Sequence, residues 1–234
     1  ILVKVTGLLP QHDWAQASRA CKSLHAACDS VFQASKFLDL KNAGAAMNDD
    51  CFNSLSRKIG PTLKRMELDC WHLSDSSLIN LPKSIEELAL CGCDHHNDSI
   101  LFHVVERLST RLKLFAWSGF GGSVSAFGFE VLAHNCRSIS SFMIDASAAV
   151  DVNHVVCTVA KSCPLLSELS AYDLTMDTLS IISKCNLNLR RLRHKRRHDF
   201  GLPITDTTVV AVCGICPALE ELHLVDKAGA NLSG

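Results

Sequence analysis

Apolar residues recur along this chain in the spacing apolar-x-x-apolar-x-apolar, most clearly in LEELHL from Leu219 to Leu224. The same spacing opens at Leu63, Ile85, Leu112, Ile139, Leu166 and Leu189, with Ala171 and His194 as weaker members and Trp117 as a bulky one. Successive copies start 22, 27, 27, 27, 23 and 30 residues apart, a mean of 26. Each copy predicts a short strand whose alternate side chains face opposite ways. Between copies lie helical patterns that start at Asp49, Asp75, Asp98, Ser125, Asp151, Asp177 and Asp206. Those side chains are expected to accept hydrogen bonds from the free N–H groups of their own helix's first turn. After Asp151, the residues Val152, Val155, Val156 and Val159 form one apolar stripe; after Asp98, Ile100, Val104, Val105 and Leu108 form another. Leu38 and Leu40 mark a degenerate first strand, so the array starts near Ser35.

A strand and a helix in every unit of this length predict a leucine-rich-repeat solenoid. The expected fold class is α/β and right-handed, with parallel strands on the concave face and helices on the convex face. About seven repeats at a mean period of 26 fill residues 33–234. Cys136, Cys163 and Cys216 each sit three residues before a strand start and Cys185 sits four before; Pro164 and Pro217 follow two of them. A small side chain buried where each helix turns back into the sheet accounts for that placement. The Cys-Pro-x-Leu-x-x-Leu pattern resembles the cysteine-containing class of leucine-rich repeats common in F-box proteins.

Residues 1–32 do not follow the repeat. Ile1, Leu2, Val5, Leu8 and Leu9 make a helical apolar stripe ending at Pro10, and Asp13 can cap a second helix carrying Trp14, Ala17, Ser18, Cys21 and Leu24. The order Leu8, Leu9, Pro10, Asp13, Trp14, Ala17, Ser18, Cys21, Lys22 resembles the latter part of an F-box. The opening Leu-Pro-x-Glu of that motif is absent, and Leu24 stands where a tryptophan is common. The sequence begins at Ile1 and stops soon after a strand, so both ends read as cut edges. The resemblance implies that Leu8, Leu9, Pro10 and Trp14 contact a Skp-type adaptor, and that the chain is the substrate-recognition subunit of an SCF-type cullin ubiquitin ligase. A helical cap over the first repeat, on a plain interaction scaffold, is the alternative.

Composition narrows the function classes. In 234 residues, 47% hydrophobic content supports a buried core, while a net charge of −1 argues against bulk electrostatic binding to nucleic acid or membrane. The twelve cysteines fall at repeat positions, which suggests reduced thiols and a cytoplasmic or nuclear setting. CGIC at 213–216 has redox spacing but lies at a predicted helix C-terminus, where the dipole opposes a thiolate. CGCDHHND at 91–98 offers Cys91, Cys93, His95 and His96, without the two spaced pairs that a structural zinc uses. SGFGGSVS lacks the Gly-Lys-Ser/Thr ending of a phosphate loop. No motif asks for an enzyme, a metal or a cofactor.

The remaining outlier is the basic run RRLRHKRRH at 190–198. Strand alternation places Arg191, Arg193 and Lys195 in one column of the open sheet. Arg191 should then lie between Glu168 and Glu221, Arg193 between Ser170 and His223, and Lys195 between Tyr172 and Val225. Tyr172, Arg193, Lys195, Arg196 and His223 are the expected centre of a target-binding surface. Cations beside an aromatic ring suit an acidic or phosphorylated segment of a protein target. A solvated basic face is the alternative.

Overall fold

The computed structural model describes residues 33–41, 47–120, 123–146, 150–186, 188–196, 205–225 and 231–232. The expected adaptor contacts Leu8, Leu9, Pro10 and Trp14 lie outside these residues, with the whole of 1–32 and Arg197. Every predicted strand forms: β1 (Phe37–Leu40), β2 (Arg65–Asp69), β3 (Glu87–Cys91), β4 (Leu114–Gly119), β5 (Ser141–Ala146), β6 (Glu168–Tyr172), β7 (Arg191–Lys195) and β8 (Glu221–Val225). They line up in sequence order as one sheet, and each pairs in parallel with the next. A two-residue strand, β9 (Asn231–Leu232), joins the β8 edge antiparallel, where the repeat alone predicts parallel strands throughout.

The apolar triplets enter a continuous core. Leu63, Met66 and Leu68 of one unit stack on Ile85, Leu88 and Leu90 of the next, and the pattern continues through Leu192. Larger side chains fill the middle of the array: Phe115 stacks on Phe142 at 6.2 Å, and Trp117 meets Phe129 edge-on at 5.6 Å. His194, the weakest apolar member, is nonetheless 1% exposed.

Across that core from the sheet lie α1 (Asp49–Lys58), a 3₁₀ helix (Asp75–Asn80), α2 (Ser99–Leu108), α3 (Ala126–Asn135), α4 (Val152–Ser162), α5 (Met176–Cys185) and α6 (Asp206–Ile215). The α-helix expected after Asp75 is the six-residue 3₁₀ turn, for two reasons. Its unit is the shortest, 22 residues between strand copies, and Pro82 follows immediately. Proline drives the preceding residue out of the helical region, and Leu81 sits at φ −52° and ψ 132°.

The starts of the helices differ from the simple capping expectation. Asp151 does cap its own helix, accepting from the His154 N–H at 3.0 Å. Asn48 and Thr175 cap α1 and α5, so Asp49 and Asp177 sit inside those helices. Asp49, Asp75 and Asp98 instead reach sideways to the next unit. Asp98 accepts from the Ser125 N–H at 2.7 Å and its hydroxyl at 2.6 Å, and Asp49 accepts from the Ser74 N–H at 2.8 Å. Asp75 accepts from the Ser99 hydroxyl at 2.6 Å and pairs with Nδ1 of His96. Asn153 repeats the arrangement, accepting from the Thr175 N–H at 3.0 Å and the Thr178 hydroxyl at 2.7 Å. One unit's helix therefore satisfies the free donors at the start of the next.

The turn from helix to strand shows why small side chains recur there. Cys136, Cys163 and Cys216 are buried as expected, but Cys185 is exposed and its neighbour Asn186 takes the repeat position. The Asn186 side-chain amide donates to the Cys163 carbonyl at 3.0 Å. In an earlier unit Gly60 occupies the same position, and a Cβ there would lie 2.4 Å from the Gln33 carbonyl oxygen. The preceding unit's backbone is that close at this turn.

Candidate interaction face on the open sheet

The side chains left on the open face fall into columns fixed by the strand register. One column runs Arg65, Glu87, Leu114, Ser141, Glu168, Arg191, Glu221; the next runs Glu67, Ala89, Ala116, Met143, Ser170, Arg193, His223. Tyr172, Lys195 and Val225 lie side by side in a third. The columns change character from one end of the array to the other.

The β1–β3 end is charged and internally paired. Glu67, 5% exposed, bonds Arg65 at 2.6 Å and also pairs with Lys41. Burial pushes its carboxyl up, but the two cations more than offset that and hold it below the ordinary range. Arg65 also lies 3.6 Å from Glu87 and over the Phe37 ring. On the rim before the strands, Lys113 and Lys64 each hold Glu86 at 2.7 Å and pull its carboxyl down to about 2.

The middle of the face is small and apolar. Ala89, Cys91, Leu114, Ala116 and Met143, on β3, β4 and β5, are each half-buried. Sequence analysis missed this strip, because each of its residues is unremarkable in its own repeat. Aligning the columns across three repeats would have found it.

The β6–β8 end carries the basic residues in the predicted register. Arg191 bonds Glu168, which raises its pKa further and commits that guanidinium to the sheet. Arg193, two residues on, is exposed, with Ser170 and His223 as its register partners. Lys195 places Nζ 5.4 Å from the centre of the Tyr172 ring, a cation–π contact. His223 is exposed and 3.7 Å from Glu221. Arg196 follows the strand, half-buried, with its backbone N–H donating to the Val225 carbonyl at 2.8 Å. Tyr172, Arg193, Lys195, Arg196 and His223 thus gather on three adjacent strands and the turn after β7. A shallow depression bounded by Ser141, Met143, Ser170 and Arg193, with Glu168 and Arg191 behind, separates Arg193 from the apolar strip.

The other motifs take structural places. Cys93 is buried, and His96 lies between Asp75 and the Cys70 carbonyl, at 3.1 Å from the latter. His95 meets the Leu73 carbonyl at 3.2 Å. Among the described residues no group of three or more His, Cys, Asp or Glu side chains is arranged to hold a metal ion. Cys213 lies exposed in the last turn of α6 and Cys216 is buried just beyond it, so CGIC does sit at a helix C-terminus. No helix among the described residues is long and apolar enough to cross a membrane.

No protein-family model and no curated protein matches the sequence. Solved structures do match its shape. The leucine-rich repeat-containing protein LegL7 from Legionella pneumophila superimposes with a TM-score of 0.54 at 16% identity, over 92% of this chain and 73% of LegL7. A chain of the Rad7 and Elc1 complex in yeast matches with a TM-score of 0.50 at 15% identity, over 94% of this chain and 72% of that one. At such identities the likeness concerns fold, and with the eight parallel strands and their helices it establishes a leucine-rich-repeat solenoid.

Proposed function

We propose that this chain is a protein-recognition module whose open sheet holds a partner, and that it serves a cullin-type ubiquitin ligase as the subunit that selects the target. The observation that carries the first part is Arg193, exposed at the centre of β7, with half-buried Lys195 on the Tyr172 ring beside it and an apolar strip across a shallow depression. Solenoids present such extended faces to partners, and the exposed residues decide what is held. The ligase assignment rests on the F-box resemblance of residues 1–32, through Leu8, Leu9, Pro10 and Trp14. A chain of similar fold is found in the complex of Rad7 and Elc1, which is compatible with a solenoid working as one part of an assembly. The module itself carries out no covalent step; holding the target near the ligase raises the effective concentration of reactants.

The test is affinity capture of the full-length protein from cells, with the co-purifying proteins identified by mass spectrometry. A Skp-type adaptor and a cullin should be recovered with the parent and lost with a Leu8→Asp, Leu9→Asp double variant that keeps its thermal transition. Recovery of other partners without adaptor or cullin would remove the ligase assignment and leave the recognition module. Unchanged capture of adaptor by the double variant would remove those residues as its site.

A further inference from the structure

From the order of side chains across the open face, we infer a two-point recognition rule: an anionic side chain of the partner seats at Arg193 and an apolar one rests on the β3–β5 strip, about four residues away in an extended segment. The inference rests on the reading of the open face as a partner-binding surface and adds the chemistry and spacing of what it holds.

Three features of the face lead there. First, its floor is low in the middle. Ala89, Ala116 and Ser170 follow one another in a single column, interrupted only by Met143. A backbone crossing these strands can come close, and a partner's Leu or Met would remove half-buried apolar surface from water. Second, the charges beside that floor differ in availability. Arg191 is held by Glu168, whereas Arg193 projects from the exposed centre of its strand toward the edge of the depression. A guanidinium takes a carboxylate or a phosphate through paired N–H bonds, and the Lys195 ammonium on Tyr172 adds positive potential beside it. Third, the opposite end excludes the same group. An anion placed equally far from Ala116 on the other side, three strands away on β1, would meet Asp39 with Glu67 beside it, so only the β7 end accepts it.

The spacing follows from sheet geometry. Ala116 on β4 and Arg193 on β7 are three strand steps apart. At about 4.8 Å per step this is about 14 Å, and an extended chain covers it in about four residues at roughly 3.4 Å each. A segment running across the strands therefore meets the strip and Arg193 together when its apolar and anionic residues are four apart, an even separation that points both side chains to the same face of the extended chain.

The experiment uses the full chain and a panel of synthetic twelve-residue Gly/Ser peptides. Each carries one Leu and one anion, at separations from one to eight, with glutamate and phosphoserine series in parallel. Binding is read by fluorescence anisotropy at low salt. Affinity should peak at a separation of four and fall about tenfold at one and at eight. Preference for the phosphoserine series assigns the anion as phosphate, preference for glutamate as carboxylate, and equal binding as either. Arg193→Glu should abolish the gain from the anion while keeping the gain from Leu. Ala116→Lys should do the reverse, and both variants should keep the parent's thermal transition. Equal affinity at every separation, absence of binding by every peptide, or an anion gain intact in Arg193→Glu would each overturn the rule. A failed peptide panel together with intact capture of cellular partners would reject this rule alone, whereas loss of capture would reject the wider reading.

Discussion

Burial pushes the Cys136 thiol up to about 12 and the Cys163 thiol up to about 11, so both stay protonated at neutral pH and act as packing groups. Cys185 and Cys213 are exposed. Alkylation followed by peptide mapping should label Cys185 and Cys213 well before Cys136 and Cys163. The Cys163 sulfur lies 3.7 Å from the Cys136 carbonyl and 3.8 Å from the Ala133 carbonyl, so a serine hydroxyl would find acceptors there. Cys163→Ser should therefore cost less than about 1 kcal/mol. Asn186→Ala should cost about 1–2 kcal/mol, because it removes a buried side-chain bond to the Cys163 carbonyl, which keeps only the Leu166 N–H at 3.1 Å. Chemical denaturation of the two variants side by side measures the contrast. Glu86 sets an acid limit of its own. Its carboxyl lies at about 2 in the fold against 4.5 ordinarily, through Lys113 and Lys64. A lowered folded pKa stabilises fully above the unfolded value, and that contribution fades as pH falls from about 4.5 toward 2. The two pairs are solvent-facing, so the effect is small, and Glu86→Gln should flatten the loss of stability in that window.

At the scale of the element, strands were legible in the sequence, whereas the partners of the acidic residues at most helix starts were not. The strands answer to an apolar triplet buried against the same triplet of the adjacent units, with only Leu219 and Leu222 of the last unit partly so, and periodicity alone placed them. The acidic residues before the helices were also located correctly, but a single repeat cannot reveal that Asp98 serves Ser125 of the next unit rather than its own first turn. Gly128 records that contact: a Cβ there would lie 2.5 Å from the Asp98 carboxylate. Asp98→Ala should destabilise by about 1–2 kcal/mol. Hydrogen exchange should quicken at Ser125 and the first turn of α3, with the first turn of α2 little changed; equal quickening of both turns would mean an ordinary cap. Gly60→Ala should be worse than its size suggests, because the atom in the way is the Gln33 carbonyl oxygen rather than a flexible side-chain end. A loss of about 1–3 kcal/mol is expected on thermal or urea unfolding.

Across the whole molecule, the sheet turns a chain of nearly balanced charge into a face with paired charges at one end, a small apolar middle and cations at the other. The register behind that face was readable from the sequence, since Arg191, Arg193 and Lys195 meet the neighbours their spacing predicts. The apolar strip was not, because Ala89, Ala116 and Met143 share a surface only after three strands are aligned. Attraction between Arg193 and an anionic partner should weaken as ionic strength rises and the Debye length shortens. The helix side offers a competing surface, where Phe102 and Phe127 meet edge-on at 6.4 Å with Phe127 60% exposed. The most direct test therefore measures the affinity of a captured cellular partner for the parent protein, for Arg193→Glu and for Phe127→Glu, all three folded to the same thermal transition. Recognition by the open face predicts about a tenfold or greater loss with Arg193→Glu and little change with Phe127→Glu. Full affinity in Arg193→Glu with a loss in Phe127→Glu would place the partner on the helices and contradict the account.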